Sequence, residues 1–167
     1  VTPEGGVTVN PDGTVTIPTD KGDITVNPDG SIDVPNTGGN GDTTLKPGAP
    51  GEIQPDGSIT VEPTPGGTGP GNGPVIINPD GTVTIPNGDG TTVTPNGPVT
   101  VEPDGTVTIP TDKGDITVDP DGTVTIPTDQ GPVTINPDGS VELPGGAGTV
   151  TPEGGVTVNP DGTVTIP

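Results

Sequence analysis

Carboxylates are the only side chains in this sequence whose type and spacing invite chemistry. Aspartate and glutamate together number 23 against 3 lysines, with no His and no Cys, for a formal charge of −20. Eight aspartates stand in a Pro-Asp-Gly tripeptide, with the prolines at 11, 28, 55, 79, 103, 120, 137 and 160. If such turns stack in register, Asp12, Asp29, Asp104, Asp121, Asp138 and Asp161 line up, and like charges held close together favour a divalent counterion. Asp119-Pro120-Asp121-Gly122 also resembles the opening of a calcium loop, which makes Asp119 a further candidate ligand. The Glu that closes such a loop is missing, because the position eleven residues after Asp119 is Gln130. Calcium at Asp12, Asp29, Asp119, Asp121, Asp138 and Asp161 is therefore the one metal reading. The simpler reading makes each Asp a solvated turn residue, and no other cofactor is expected.

Composition removes most other chemistry. Without His or Cys there is no imidazole base, no thiolate and no nitrogen or sulfur ligand for zinc or iron. Ser31, Ser58 and Ser140 each directly follow a Pro-Asp-Gly, so they read as turn-exit residues and not as nucleophiles. No enzyme is expected. Lys21, Lys46 and Lys113 are the only cations, far too few to displace counterions from a phosphate backbone, and no aromatic ring is present for base stacking. A nucleic-acid partner is excluded on those grounds.

The elements that must position these carboxylates are dictated by what interrupts them. Gly numbers 31 and Pro 26. The longest stretch without proline is 36–46, and it carries three glycines, so neither an α-helix nor a coiled coil nor a membrane-spanning helix fits anywhere. The apolar residues are 21 Val, 13 Ile, 2 Leu and 2 Ala, with no Phe, Tyr, Trp or Met, which argues against a conventional globular core. Of the 36 large ones 34 are β-branched, as are the 31 threonines, and such residues favour extended structure. The chain starts at Val1 and contains no Met, so it reads as a piece of something longer in which no signal peptide can be sought.

The Pro-Asp-Gly spacings of 17, 27, 24, 24, 17, 17 and 23 show that the low complexity is periodic. Clean units of the form (N/D/E)-PDG-(T/S)-x-x-x-P occur at 10–17, 78–85, 119–126 and 159–166. Short units add a second turn, Thr-Asp-Lys-Gly or Thr-Asp-Gln-Gly, and longer ones insert an extra strand there, as at 91–95 and 149–152. A second regularity is sharper: residues 1–18, VTPEGGVTVNPDGTVTIP, recur unchanged as 150–167, an offset of 149. The chain therefore reads as one period of a tandem array plus the start of the next, or as a deliberately repetitive design. Three parts follow: β-repeat units over 1–35, a Gly/Pro-rich irregular or linker segment over 36–73, and β-repeat units over 74–167.

Turn chemistry predicts hairpins. Asn-Pro-Asp-Gly suits a type I turn position by position, with Gly able to take the positive φ of a one-residue bulge. With Gly13 as that bulge, Asn10 lies opposite Thr14, Val9 faces Val15, Thr8 faces Thr16 and Val7 faces Ile17. A four-residue loop over 19–22 then sets Ile17 against Ile24 and Val15 against Val26. Every Val and Ile lands on one face and every Thr on the other. The predicted fold is all-β, a β-meander type array of repeated short antiparallel hairpins with no helix. The alternative is a β-solenoid with Pro-Asp-Gly stacked at one corner. In either case a strand buries only about two Val or Ile side chains, at roughly 1.5–3 kcal/mol each, so stability must come from stacked neighbours.

Two resemblances extend this reading. Thr-x-Thr after the turn, at Thr14/Thr16, Thr82/Thr84, Thr106/Thr108, Thr123/Thr125 and Thr163/Thr165, resembles the threonine ladders of ice-binding β-solenoid proteins. Asp33 and Glu142 interrupt that ladder. Units such as VTVNPDGTVTIP at 7–18 and ITVDPDGTVTIP at 116–127 resemble the hairpins of low-complexity stalk and repeat regions in bacterial cell-surface and secreted proteins. The second resemblance implies an extracellular or cell-surface spacer, adhesin stalk or fibre subunit. The expected function is accordingly structural: a non-enzymatic repeat segment of an extracellular fibre, stalk or matrix, whose partners are copies of itself end to end. The alternatives are a module that binds calcium, ice or a carbohydrate surface, or a designed repeat protein.

Overall fold

The computed structural model describes residues 5–62, 73–86, 90–153, 156–159 and 163–166. Within them the chain is all-β. In order the strands are β1 (Thr8–Val9), β2 (Val15–Thr19), β3 (Gly22–Val26), β4 (Ile32–Val34), β5 (Thr43–Leu45), β6 (Gly51–Ile53), β7 (Ile59–Val61), β8 (Val75–Ile77), β9 (Val83–Ile85) and β10 (Thr91–Val93). They continue as β11 (Thr100–Val101), β12 (Val107–Thr111), β13 (Gly114–Val118), β14 (Val124–Ile126), β15 (Val133–Ile135), β16 (Val141–Leu143), β17 (Gly148–Val150), β18 (Thr157–Val158) and β19 (Val164–Thr165). One 3-10 turn, Pro144–Gly146, separates β16 from β17.

The pairing is that of a meander. Twelve strands form one sheet in the order β1-β2-β3-β4-β5-β11-β12-β13-β14-β15-β16-β17, five form a second in the order β10-β9-β8-β7-β6, and β18-β19 is a separate hairpin. Where sequence neighbours pair they do so antiparallel, which is the hairpin arrangement and not that of a solenoid, where the strands that pair come from successive coils. The exception is β5 with β11, a parallel pair that closes the twelve-stranded sheet behind the excursion of β6–β10. Lys46, just past β5, ties this joint to Glu102, just past β11, with Nζ at 2.7 Å from Oε1. Its backbone N–H donates to Val101 O at 2.9 Å.

The registers are those predicted from turn chemistry. Asn10 N donates to Thr14 O at 2.8 Å and Gly13 N to Asn10 O at 3.0 Å, with Gly13 at a φ of 92°. Val9 then pairs with Val15 and Thr8 with Thr16. Across the next connection Ile17 pairs with Ile24 and Val15 with Val26. That turn is tighter than a four-residue loop: Pro18 pairs with Asp23 and Thr19 with Gly22, leaving Asp20 and Lys21 at the tip. Gly22, at a φ of 121°, and the Thr19 hydroxyl, which donates to Gly22 O at 2.6 Å, close it.

Turns also stack. A Cβ placed on Gly13 would lie 3.2 Å from Pro28 Cγ, the proline of the next turn on the same edge, and one on Gly22 would lie 3.0 Å from Pro35 Cβ. Gly105 with Pro120 and Gly114 with Pro127 repeat the arrangement. Each proline ring thus fills the space that a missing Cβ leaves, so the two residue types that punctuate the sequence also pack against each other.

The five-stranded sheet lies on the apolar face of the twelve-stranded one, and a single core of Val and Ile with Leu45 is shared between them. The expectation of no conventional core is corrected here. Two facing layers of β-branched side chains make one without any aromatic ring, because strands stacked face to face need fill only about 10 Å. The segment 36–73, expected to be irregular, contains β5, β6 and β7, while 63–72 lies outside the described residues. Its Gln54-Pro55-Asp56-Gly57-Ser58 unit closes the β6–β7 hairpin as the other units do, with Gln54 N donating to Ser58 O at 2.7 Å.

Ile109 sits at the centre of the core with 0% exposure. Ile109→Ala is expected to cost about 2–5 kcal/mol in urea unfolding, whereas Val9→Ala on the exposed end of the sheet should stay within about 0.5 kcal/mol of the parent.

Candidate functional site

Strands of apolar, polar, apolar residues leave one polar side chain each on the outer face, and the register decides whether these meet. They do. Across the twelve-stranded sheet the paired positions run Thr8, Thr16, Thr25, Asp33, Thr44, Thr100, Thr108, Thr117, Thr125, Thr134, Glu142 and Thr149. None of the twelve is buried. Neighbouring rungs are about 4.8 Å apart, the spacing of hydrogen-bonded strands. The Thr-x-Thr motif contributes Thr16, Thr108 and Thr125 to this row. Its other Thr in each pair stands at the turn, and Thr84 lies on the second sheet, paired with Thr92. Thr8, Thr25, Thr100, Thr117 and Thr134 are single threonines between two apolar residues, a pattern that Thr-x-Thr does not capture, while Thr44 follows Thr43 and Thr149 follows Gly148.

Asp33 interrupts the row without leaving its charge unpartnered. Its Oδ1 accepts from the Thr44 hydroxyl at 2.8 Å and its Oδ2 from Asn27 Nδ2 at 2.8 Å.

The carboxylates of the Pro-Asp-Gly units serve the turns. Asp12 Oδ1 accepts from Thr14 N at 3.0 Å and from the Thr14 hydroxyl at 2.7 Å. Asp29 does the same with Ser31, at 2.9 and 2.7 Å, and Asp138 with Ser140, at 2.9 and 2.6 Å. Asp121 Oδ1 accepts from Thr123 N at 2.9 Å. Asp161 lies outside the described residues. In the meander the turns holding Asp12, Asp29, Asp104, Asp121 and Asp138 share one edge, because they all connect strands running in the same two directions. Adjacent ones there are two strands apart, about 10 Å, or three between Asp29 and Asp104, about 14 Å, whereas calcium ligands sit 2.3–2.6 Å from the ion. Among the described residues no three acidic side chains come together in a way that could hold a metal.

These hydrogen bonds favour the ionised carboxyl. For Asp12 and Asp104 the backbone N–H two residues on is the larger cause and the Thr hydroxyl the next. For Asp29, Asp56, Asp80 and Asp138 the hydroxyl leads. All six are held below the ordinary carboxylate value.

Asp119 goes the other way. Burial raises it first, then the charges of Asp121 and Asp104. It stands where Asn10, Asn27, Asn78 and Asn136 donate from Nδ2 to the turn-exit hydroxyl at 2.9, 3.1, 3.0 and 3.0 Å. A carboxylate has no such donor. With Glu62 it lines a cavity of about 10 Å³ between the two sheets, room for one water at most.

Two expectations follow from the signs. The six lowered aspartates stabilise the fold above their unfolded value and lose that contribution as pH falls through the lower folded one, so the melting temperature should drop as the pH is taken below about 4. Asp119 has the opposite slope, since its folded form holds the proton more tightly. Asp119→Asn should therefore raise stability at pH 7 by about 0.5–1.5 kcal/mol, with the gain shrinking in acid, as read by urea unfolding at both pH values. A melting temperature unmoved by chelator is the third expected result, and a drop would support the calcium reading.

No known protein family matches the sequence, and no curated protein does. Among solved structures the chain is similar to the G-box domain of the microcephaly protein CPAP, at 20% identity and a TM-score of 0.27, covering 98% of this chain and 97% of that one. It is also similar to the TCP10 domain of Danio rerio CPAP, at 19% identity and a TM-score of 0.19, covering 96% and 98%. At such TM-scores neither likeness bears on what this chain does.

Proposed function

We propose that this chain is a structural, non-enzymatic segment of an extracellular fibre, stalk or matrix, lengthened by tandem repetition of a 149-residue period. One observation supports the reading: the 18 residues that open the sequence recur at its close, and among the described residues the strands of both copies pair in the same register. Thr8 pairs with Thr16 and Val9 with Val15 in one, Thr157 with Thr165 and Val158 with Val164 in the other. A repeated unit that keeps its register at both ends can be continued without a change of structure.

The rest of the molecule is compatible with that role. A charge of −20 keeps lateral faces apart at low salt and less so as salt rises. With no Arg and no aromatic residue, and with Lys21, Lys46 and Lys113 each facing an acidic side chain, few bonds suit common digestive proteases, which fits an exposed location.

Polypeptides of one, two and three consecutive periods test the reading by small-angle scattering and electron microscopy. The expected result is a particle whose longest dimension grows by one fixed increment per period. Particles that stay equally compact, or that join as beads on a slack string, would sink it.

A further inference from the structure

Hairpins β1–β2 and β18–β19 share one sequence and have two environments. Val156 and Val158 are each 3% exposed and belong to the core. Val7 and Val9, the same positions in the first copy, are 53% and 73% exposed. Sequence and register are equal, so the difference lies wholly in the neighbours. The second hairpin has a seat: the Thr91 hydroxyl of β10 donates to Val156 O, and Val164 and Ile166 share a cleft of about 480 Å³ with Val133 of β15 and Leu143 of β16. Among the described residues nothing covers Val7 and Val9 in this way.

We propose that the apolar face of β1–β2 is a docking surface for a second copy of this chain, where it takes the seat that β18–β19 occupies beside β10 and over β15–β16. The proposal deepens the fibre reading and rests on it. An identical hairpin already fills that seat, so the fit of side chains to it is on display within one molecule. The free edges match as well. Among the described residues β19 pairs only with β18, which leaves open the edge that its counterpart β2 uses to pair with β3. An incoming β1–β2 can therefore sit in the seat without giving up the sheet behind it.

Within a single chain the seat is filled from a short connection, at an effective concentration in the millimolar range, so free chains at micromolar concentration stay separate. In a tandem array there is no competition, because the hairpin that closes one period opens the next.

The test uses the full chain at about 0.15 M salt, where the repulsion between acidic copies is screened beyond about 8 Å. Val156→Asp with Val158→Asp expels the resident hairpin and frees the seat. This variant should form head-to-tail oligomers at micromolar concentration by sedimentation velocity, while the parent is monomeric. Adding Val7→Asp and Val9→Asp should return it to monomer. A folded freed-seat variant that stays monomeric, or oligomers that survive the second pair of changes, overturns the proposal. Should the freed-seat variant not fold, the parent and the Val7→Asp, Val9→Asp chain, altered only at exposed positions, are compared at about 1 mM, near the effective concentration of the tether. Dimer in the parent alone supports docking, and equal sedimentation of the two overturns it. Either failure leaves the additive length of tandem polypeptides, and with it the fibre reading, to stand or fall separately.

Discussion

The one-residue bulge at the glycine of each described Pro-Asp-Gly turn is the constraint on which this structure depends. Most strands here are only two or three residues long, so a slip of one residue would turn every Val and Ile to solvent and every Thr to the core. Gly13, with its positive φ, and the pair of hydrogen bonds between residues 10 and 14 and between 13 and 10 set that register. Asp12, accepting from the backbone and hydroxyl of Thr14, holds the exit of the turn. Because the same device recurs at Asp29, Asp56, Asp80 and Asp138, one local solution is propagated across both sheets.

The consequence is a core of unusual composition. A layer of β-branched residues cannot be buried by its own sheet, and single hairpins have too little apolar surface to stand alone. The excursion of β6–β10 out of the twelve-stranded sheet supplies the second layer. It returns by the parallel pairing of β5 with β11, held by the Lys46 and Glu102 pair at the joint. That ion pair is solvent-exposed and contributes at most about 1 kcal/mol, so it aligns the joint more than it stabilises it. The hydrophobic layers do most of the stabilising.

The outer face is the complement of this arrangement. A row of threonines broken by Asp33 and Glu142 crosses all twelve strands, and the carboxylates stand apart from it at the turns. Such a surface has many hydroxyls and little positive charge.

Strand type, turn positions and pairing register were legible in the residues themselves, because they rest on local chemistry: β-branched propensity, the proline φ and the glycine bulge. The same reasoning found Thr16 and Thr108 but passed over Thr44 and Thr100; these pair with Asp33 and Thr108 in their own antiparallel neighbours, and only their meeting with each other depends on β5 and β11 lying side by side although far apart in the chain. It also took 36–73 as irregular although Pro55-Asp56-Gly57 marks the β6–β7 turn, because β6 carries a single large apolar residue, Ile53, and shows no alternation of its own. The clearest case is the duplicated hairpin. Residues 1–18 and 150–167 carry the same information, and among the described residues their strands pair in the same register, so sequence determined that register. Whether its valines face water or core was decided by tertiary structure alone, because burial is a property of what lies opposite a strand and not of the strand.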